Sequence, residues 1–90
     1  MNTNGGKGNA AGLEEFIEIE LSRSLGCLIL AMNDRLTGKV AAANRGELSA
    51  HRAYQEALHL FRVLRDHIGQ SGARRLAIRI KKIGKAMQKG

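Results

Sequence analysis

The chain has 90 residues with one cysteine, no proline and no tryptophan, and its 15 Lys and Arg residues against eight Asp and Glu give a formal net charge of +7. A single cysteine excludes an internal disulfide, and a chain of this length forms one small domain. The longest apolar run, Leu25–Met32, is far shorter than the roughly 20 residues of a membrane-spanning helix. We therefore expect a soluble, cytoplasmic protein that contacts no membrane.

The positive charge is concentrated at the C-terminal end. Residues 74–90 contain seven basic residues and no acid, whereas residues 1–73 contain eight of each sign. Charge that is separated in this way points to a polyanionic or acidic partner. By contrast, residues 1–12 are rich in Gly and Asn and lack the apolar core of a signal peptide, so we predict a flexible arm there, followed by a single helical domain over 13–90.

The first predicted helix spans about 13–37. Glutamates crowd Glu14–Glu20, where the helix dipole favours acids, Arg35 lies near the end, and Gly38 is a natural stop. The same glutamates are also candidates to bind the basic tail of another copy. Apolar residues recur at steps of three or four, as on one face of a helix. They are Leu13, Ile17, Leu21, Leu25, Leu28, Met32 and Leu36.

A second helix is predicted at about 46–69, after a connector at 39–45 that has some helical character. Asn44 precedes Glu47 by three residues, which predicts a capping box. The predicted buried stripe consists of Tyr54, Ala57, Leu58, Phe61, Leu64 and Ile68.

The third predicted helix spans about 73–88, after a break at 69–72. Its apolar face consists of Leu76, Ile80, Ile83 and Met87. One alternative remains open: residues 16–21 and 77–82 alternate with period two and opposite charge, as a pair of antiparallel strands would.

These segments predict an all-α fold, in which an antiparallel helical hairpin is followed by a basic C-terminal helix. The hairpin is apolar over more than one stripe, through Cys27, Leu30, Leu60 and Val63. A helix that is apolar over more than one face needs more than one neighbour. We therefore expect the third helix to cover part of this surface and a second copy to cover the rest, giving a homodimeric helical bundle.

No catalytic constellation is found, so we predict a protein that is not an enzyme and needs no cofactor or metal. Cys27 lies among apolar neighbours, where a thiol is inert. His51, His59 and His67 recur every eight residues, about 12 Å apart along a helix, which is too far to share an ion.

The basic C-terminal helix is the candidate functional site. Lys and Arg neutralise phosphates and release counterions, so we predict binding to DNA or structured RNA. The segment has no aromatic residue for stacking unpaired bases, which favours a duplex. Ile78 lies in the middle of the basic arc. The predicted nucleic-acid-binding residues are Arg74, Arg75, Arg79, Lys81, Lys82, Lys85 and Lys89.

Other partners stay open. An acidic protein surface also fits the basic helix, in which case the chain is an adaptor or inhibitor of the kind that phages and plasmids direct at host nucleic-acid machinery, and it binds through its helical hairpin and basic helix. The segment 69–72 before the basic helix fits a helix-turn-helix only loosely. The narrow apolar arc without Trp or Phe disfavours a membrane surface.

Overall fold

A computed structural model describes the backbone of residues 5–89 and the side chains of residues 12–88. The predicted all-helical class is confirmed, and no strand occurs within the described residues. The strand alternative for 16–21 and 77–82 is wrong, because each segment lies inside a long helix. The helices are α1 (Gly5–Leu36), α2 (Val40–Leu64), a short 3-10 helix (Arg65–His67) and α3 (Gln70–Lys89).

The first helix begins earlier than the sequence predicted. It starts at Gly5 rather than near residue 13, so residues 5–12 are helical; residues 1–4 of the predicted arm lie outside the described part of the chain. The glutamates from Glu14 onward therefore occupy the interior of α1 and not its first turn. The prediction that the helix dipole favours these glutamates at the start of α1 is therefore wrong. Their contribution depends instead on the side chains that they contact.

A tight turn at Gly38 joins α1 to α2. The Gly38 N–H donates to the Arg35 carbonyl (3.2 Å) and the Lys39 N–H donates to the Asp34 carbonyl (2.7 Å), which is the Schellman pattern. Gly38 has φ 83°, in the left-handed region that glycine adopts without a steric penalty. The predicted stop at Gly38 is confirmed, and the chain reverses direction within three residues.

The second helix also begins earlier than predicted. It starts at Val40, and Lys39 precedes it without a side-chain cap. Asn44 is therefore already inside α2, and the predicted capping box with Glu47 is wrong. Both side chains instead accept hydrogen bonds from Arg35, at 3.3 Å to Asn44 Oδ1 and 2.6 Å to Glu47 Oε2. These contacts connect α1 to α2 beside the turn.

Small side chains form the contact between α1 and α2. A Cβ at Gly46 would lie 3.1 Å from the Ala31 Cβ, so the backbones approach closely there. Ser24 of α1 is buried, and its hydroxyl donates to the Ala50 carbonyl at 2.9 Å. The buried residues of α2 are Ala43, Ala50, Ala53 and Ala57. Contacts from residues 24, 31 and 35 reach 50, 46 and 47 respectively, so the two helices run antiparallel as predicted.

The third helix packs across one side of this hairpin and runs parallel to α1. Arg75 reaches Glu14 and Arg79 reaches Glu18, while Tyr54 of α2 lies against Gly84. All four residues of the predicted apolar face are buried: Leu76, Ile80, Ile83 and Met87. Together with Ile17, Leu21 and Leu28 they form the main core, so α3 is part of the folded body and not an appendage.

The predicted stripe on α1 fails at its C-terminal end. Met32 is 56% exposed and Leu36 is 86% exposed, although Ile17, Leu21 and Leu28 of the same stripe are buried. The reason is the length of α3, which lies against the earlier turns of α1 and ends before it reaches the turn at Gly38. Ala31, which faces α2, is the buried residue of this region instead.

Candidate nucleic-acid interface

The cationic side chains of α3 divide between two sides of the helix. At 100° per residue, Leu76, Ile80, Ile83 and Met87 point to the core. Directly opposite lie four cations that are exposed and have no ion-pair partner within the described residues. These four cations are Arg74, Lys81, Lys82 and Lys85. We call them, together with Ile78, the basic face.

The basic face is narrow and runs along the helix. Its cations fall within an arc of about 100° and extend over about 16 Å of helix axis, from Arg74 to Lys85. Ile78 lies at the centre of the arc and is 51% exposed. One strand of duplex DNA carries a phosphate per 3.4 Å of axis, so this length matches about five phosphates. The spacing suits contact with one strand of a polyanion.

Two of the predicted binding residues are already paired with acids of α1. Arg75 forms an ion pair with Glu14, whose side chain is only 20% exposed. The Arg79 Nη1 atom lies 3.6 Å from Glu18 Oε1, and Arg79 Nη2 donates a hydrogen bond of 3.4 Å to the Ser22 hydroxyl. Two of the four glutamates that were candidates to bind another copy, Glu14 and Glu18, thus contact the basic helix of their own chain. These two arginines link α3 to α1, and the Arg75 side chain stays 61% exposed.

The remaining predicted residue, Lys89, closes α3, and its side chain lies outside the described residues. The structure therefore separates the seven predicted cations into four on the basic face, two in ion pairs and one whose side chain is not described.

Sequence reasoning missed a groove beside the N-terminal end of the basic face. Phe61 and Arg65, one turn apart on the chain, are brought alongside Arg74 by the reversal between α2 and α3. The Arg65 guanidinium carbon lies 6.0 Å from the centre of the Phe61 ring. Their spacing of four residues was visible in the sequence, but only the fold shows that α3 lies next to them.

The other candidate chemical groups are dispersed. His51, His59 and His67 are all exposed, and no three His, Cys, Asp or Glu side chains among the described residues lie close enough to share a metal ion. Cys27 is half-buried rather than fully buried, and it borders an open groove whose lining includes Arg23 and Glu56. Within residues 5–89, no helix combines the length and the apolar character needed to cross a bilayer.

Comparison of the chain with protein-family models, curated proteins and solved structures gave no match.

Proposed function

We propose that this protein is a small, non-enzymatic nucleic-acid-binding protein with a regulatory or architectural role, and that it binds DNA or structured RNA through the basic face of α3. The observation that supports this is the separation of its charges. Glu14 and Glu18 of α1 pair with Arg75 and Arg79 on the flank of α3 that faces α1. The outward side of α3 itself carries four cations and no carboxylate, and Asp66 borders it near Arg74.

Binding of this kind is driven by counterion release. Each phosphate that is neutralised contributes about −0.9 to the slope of log K against log salt concentration on duplex DNA. Four contacts from the basic face give a slope of about −3.6. Ile78 at the centre of the face supplies an apolar contact that a row of lysines alone lacks, and it suits the sugar or a base edge in a groove.

The test neutralises individual charges and keeps α3 in place, because truncation would remove four core residues. These are Leu76, Ile80, Ile83 and Met87. Lys81→Gln together with Lys82→Gln should make the slope shallower by about 1.8. Arg45→Gln together with Arg52→Gln is the matched control, since both arginines are exposed on α2, away from the basic face, and the net charge falls equally. Equal slopes for the two variants, or no binding by the wild type at 50 mM salt, would show that α3 does not meet phosphates.

We also propose that the protein acts as a homodimer through the hairpin flank opposite α3. Leu30 (65% exposed) and Phe16 (49% exposed) of α1 and Val63 (58% exposed) of α2 leave apolar side chains uncovered, of the kind that a second copy would bury.

A dimer through this flank would leave the basic faces of both copies pointing outward. Leu30→Glu together with Val63→Glu should give a monomer in sedimentation equilibrium and leave the helical circular dichroism unchanged. A wild-type protein that is monomeric at 100 µM would overturn the dimer and leave nucleic-acid binding standing.

A second candidate function, docking on another protein as an adaptor or inhibitor, is favoured by the apolar surface near the turn at Gly38. Ile29, Met32, Leu36 and Val40 are each more than half exposed, at the end of the hairpin beyond the last turn of α3. An apolar surface of this kind marks a protein-interaction site. A defined complex that survives nuclease treatment and is lost in Leu36→Glu would favour this function, whereas dependence on Lys81 and Lys82 together with nuclease sensitivity would favour the first.

A further inference from the structure

A groove of about 600 Å³ lies between the end of α2 and the first two turns of α3. Phe61 forms its aromatic wall, and the small side chains Ala73 and Ala77 form the side contributed by α3. Larger residues at these two positions would fill the space in front of the ring. The volume falls within the range of roughly 300–1,000 Å³ that small-molecule sites occupy.

The Phe61 ring is half-buried, so one part packs on the core and the remainder faces the groove. The nearest cation, Arg65, is 6.0 Å from the ring centre, at the outer limit of a cation–π contact. The guanidinium lies over the ring without packing tightly on it, so a base that stacks on Phe61 enters between the two groups or displaces the guanidinium. An exposed aromatic surface next to arginine is what single-stranded nucleic-acid sites use to stack a base.

Charge at the rim indicates the same type of ligand. Arg65 and Arg74 are both exposed at the rim, and Arg74 also belongs to the basic face. The groove therefore opens at one end of the row of cations that we propose follows a phosphate backbone. Asp66 is an acid on the rim. Its carboxylate accepts hydrogen bonds from an exocyclic amino group of a base and disfavours a phosphate inside the groove itself.

We propose that this groove binds one unpaired nucleotide of the nucleic acid, with its base against Phe61 and its phosphate on Arg74 and Arg65. The proposal rests on the proposed function and adds a preferred ligand: a duplex that carries an unpaired end or a bulged base next to the paired region on α3. It also revises the sequence argument against unpaired bases, because the aromatic ring that α3 lacks is supplied by α2.

The experiment compares two probes, a blunt 20-base-pair duplex and the same duplex with a two-nucleotide overhang carrying 2-aminopurine. The wild type should bind the overhang probe about 5- to 150-fold more tightly, the range for one base stacked on an aromatic side chain. The 2-aminopurine fluorescence should fall as the base stacks. Phe61→Leu should remove the preference and the quenching without changing affinity for the blunt duplex.

A second variant guards against a folding defect, because Phe61 also packs on the core. Ala77→Leu fills the groove from an exposed position of α3, and it should remove the preference in the same way. Wild-type protein that binds both duplexes equally would overturn this inference and leave the proposed function intact. Binding of neither duplex would overturn both. A preference that persists in Phe61→Leu and Ala77→Leu would place the unpaired base elsewhere and so overturn the assignment of the groove.

Discussion

Removal of the acids that form the ion pairs between α1 and α3 should make nucleic-acid binding more dependent on salt, because it frees two arginines. Glu14→Gln together with Glu18→Gln should release Arg75 and Arg79 from their partners and allow both to reach phosphates. Two further contacts steepen the salt slope from about −3.6 to about −5.4. Between 50 and 200 mM salt, the wild type should lose about 150-fold in affinity and the variant about 1,800-fold.

Removing any two acids raises the net charge, so the control must do the same elsewhere. Glu15→Gln together with Glu56→Gln changes two exposed carboxylates that belong to no ion pair within the described residues. Its slope should stay near −3.6, because no new phosphate contact becomes available. The assay is fluorescence anisotropy of a labelled duplex at five salt concentrations.

Two results would refute this reasoning. A slope near −5.4 in the wild type would mean that Arg75 and Arg79 contact phosphates in spite of their partners. Equal slopes for the variant and the control would mean that the two arginines stay on α1 or face away from the ligand. The fold should survive the change, since exposed pairs of this kind contribute about 0–1 kcal/mol each, and thermal melting checks this.

Three predictions concern stability and are measured by urea unfolding. Gly26→Ala should stabilise the protein by about 0.5–1 kcal/mol, because Gly26 is exposed inside α1 and an added Cβ meets nothing within 4 Å; a loss of stability would contradict the helical backbone at this position. Ser24→Ala should destabilise by about 1 kcal/mol through the lost hydrogen bond to Ala50, and no change would show that this bond has no net value. Gly38→Ala should destabilise by about 1–2 kcal/mol because φ 83° strains an L-residue, whereas Gly69→Ala, at a position with open space and no positive φ, is the control that should lose less.

The parts of the fold that depend on local periodicity could be predicted. The four apolar residues of α3 follow the helical repeat over several turns and are buried, and Gly38 ends α1 as a glycine at that position should. Contacts between distant segments could not be predicted in the same way. The Arg75–Glu14 pair joins residues that are 61 apart in the chain. It depends on α3 running parallel to α1, which no local pattern indicates.

The candidate site, too, could be predicted only where it depends on local sequence and not on contacts between distant segments. The richness of α3 in Lys and Arg was visible in the sequence, but which of its cations face outward depends on where α1 lies. The exposed Leu36 shows the same limit, since its stripe has the correct period and is uncovered only because α3 ends too early. Phe61 was predicted as a core residue, and the reversal after α2 also exposes part of its ring to the groove.

Core side chains and the basic face lie on the same helix, so binding of nucleic acid through that face, as proposed, would be coupled to folding. A small domain of this size has a narrow margin of stability, and a ligand that binds only the folded state raises that margin by mass action. At a ligand concentration 100 times Kd, the gain is about 2.7 kcal/mol. For a protein that needs α3 both to fold and to bind, nucleic acid would act as a folding ligand. Its folded fraction, and hence its lifetime against proteolysis, would then increase with the concentration of its own target.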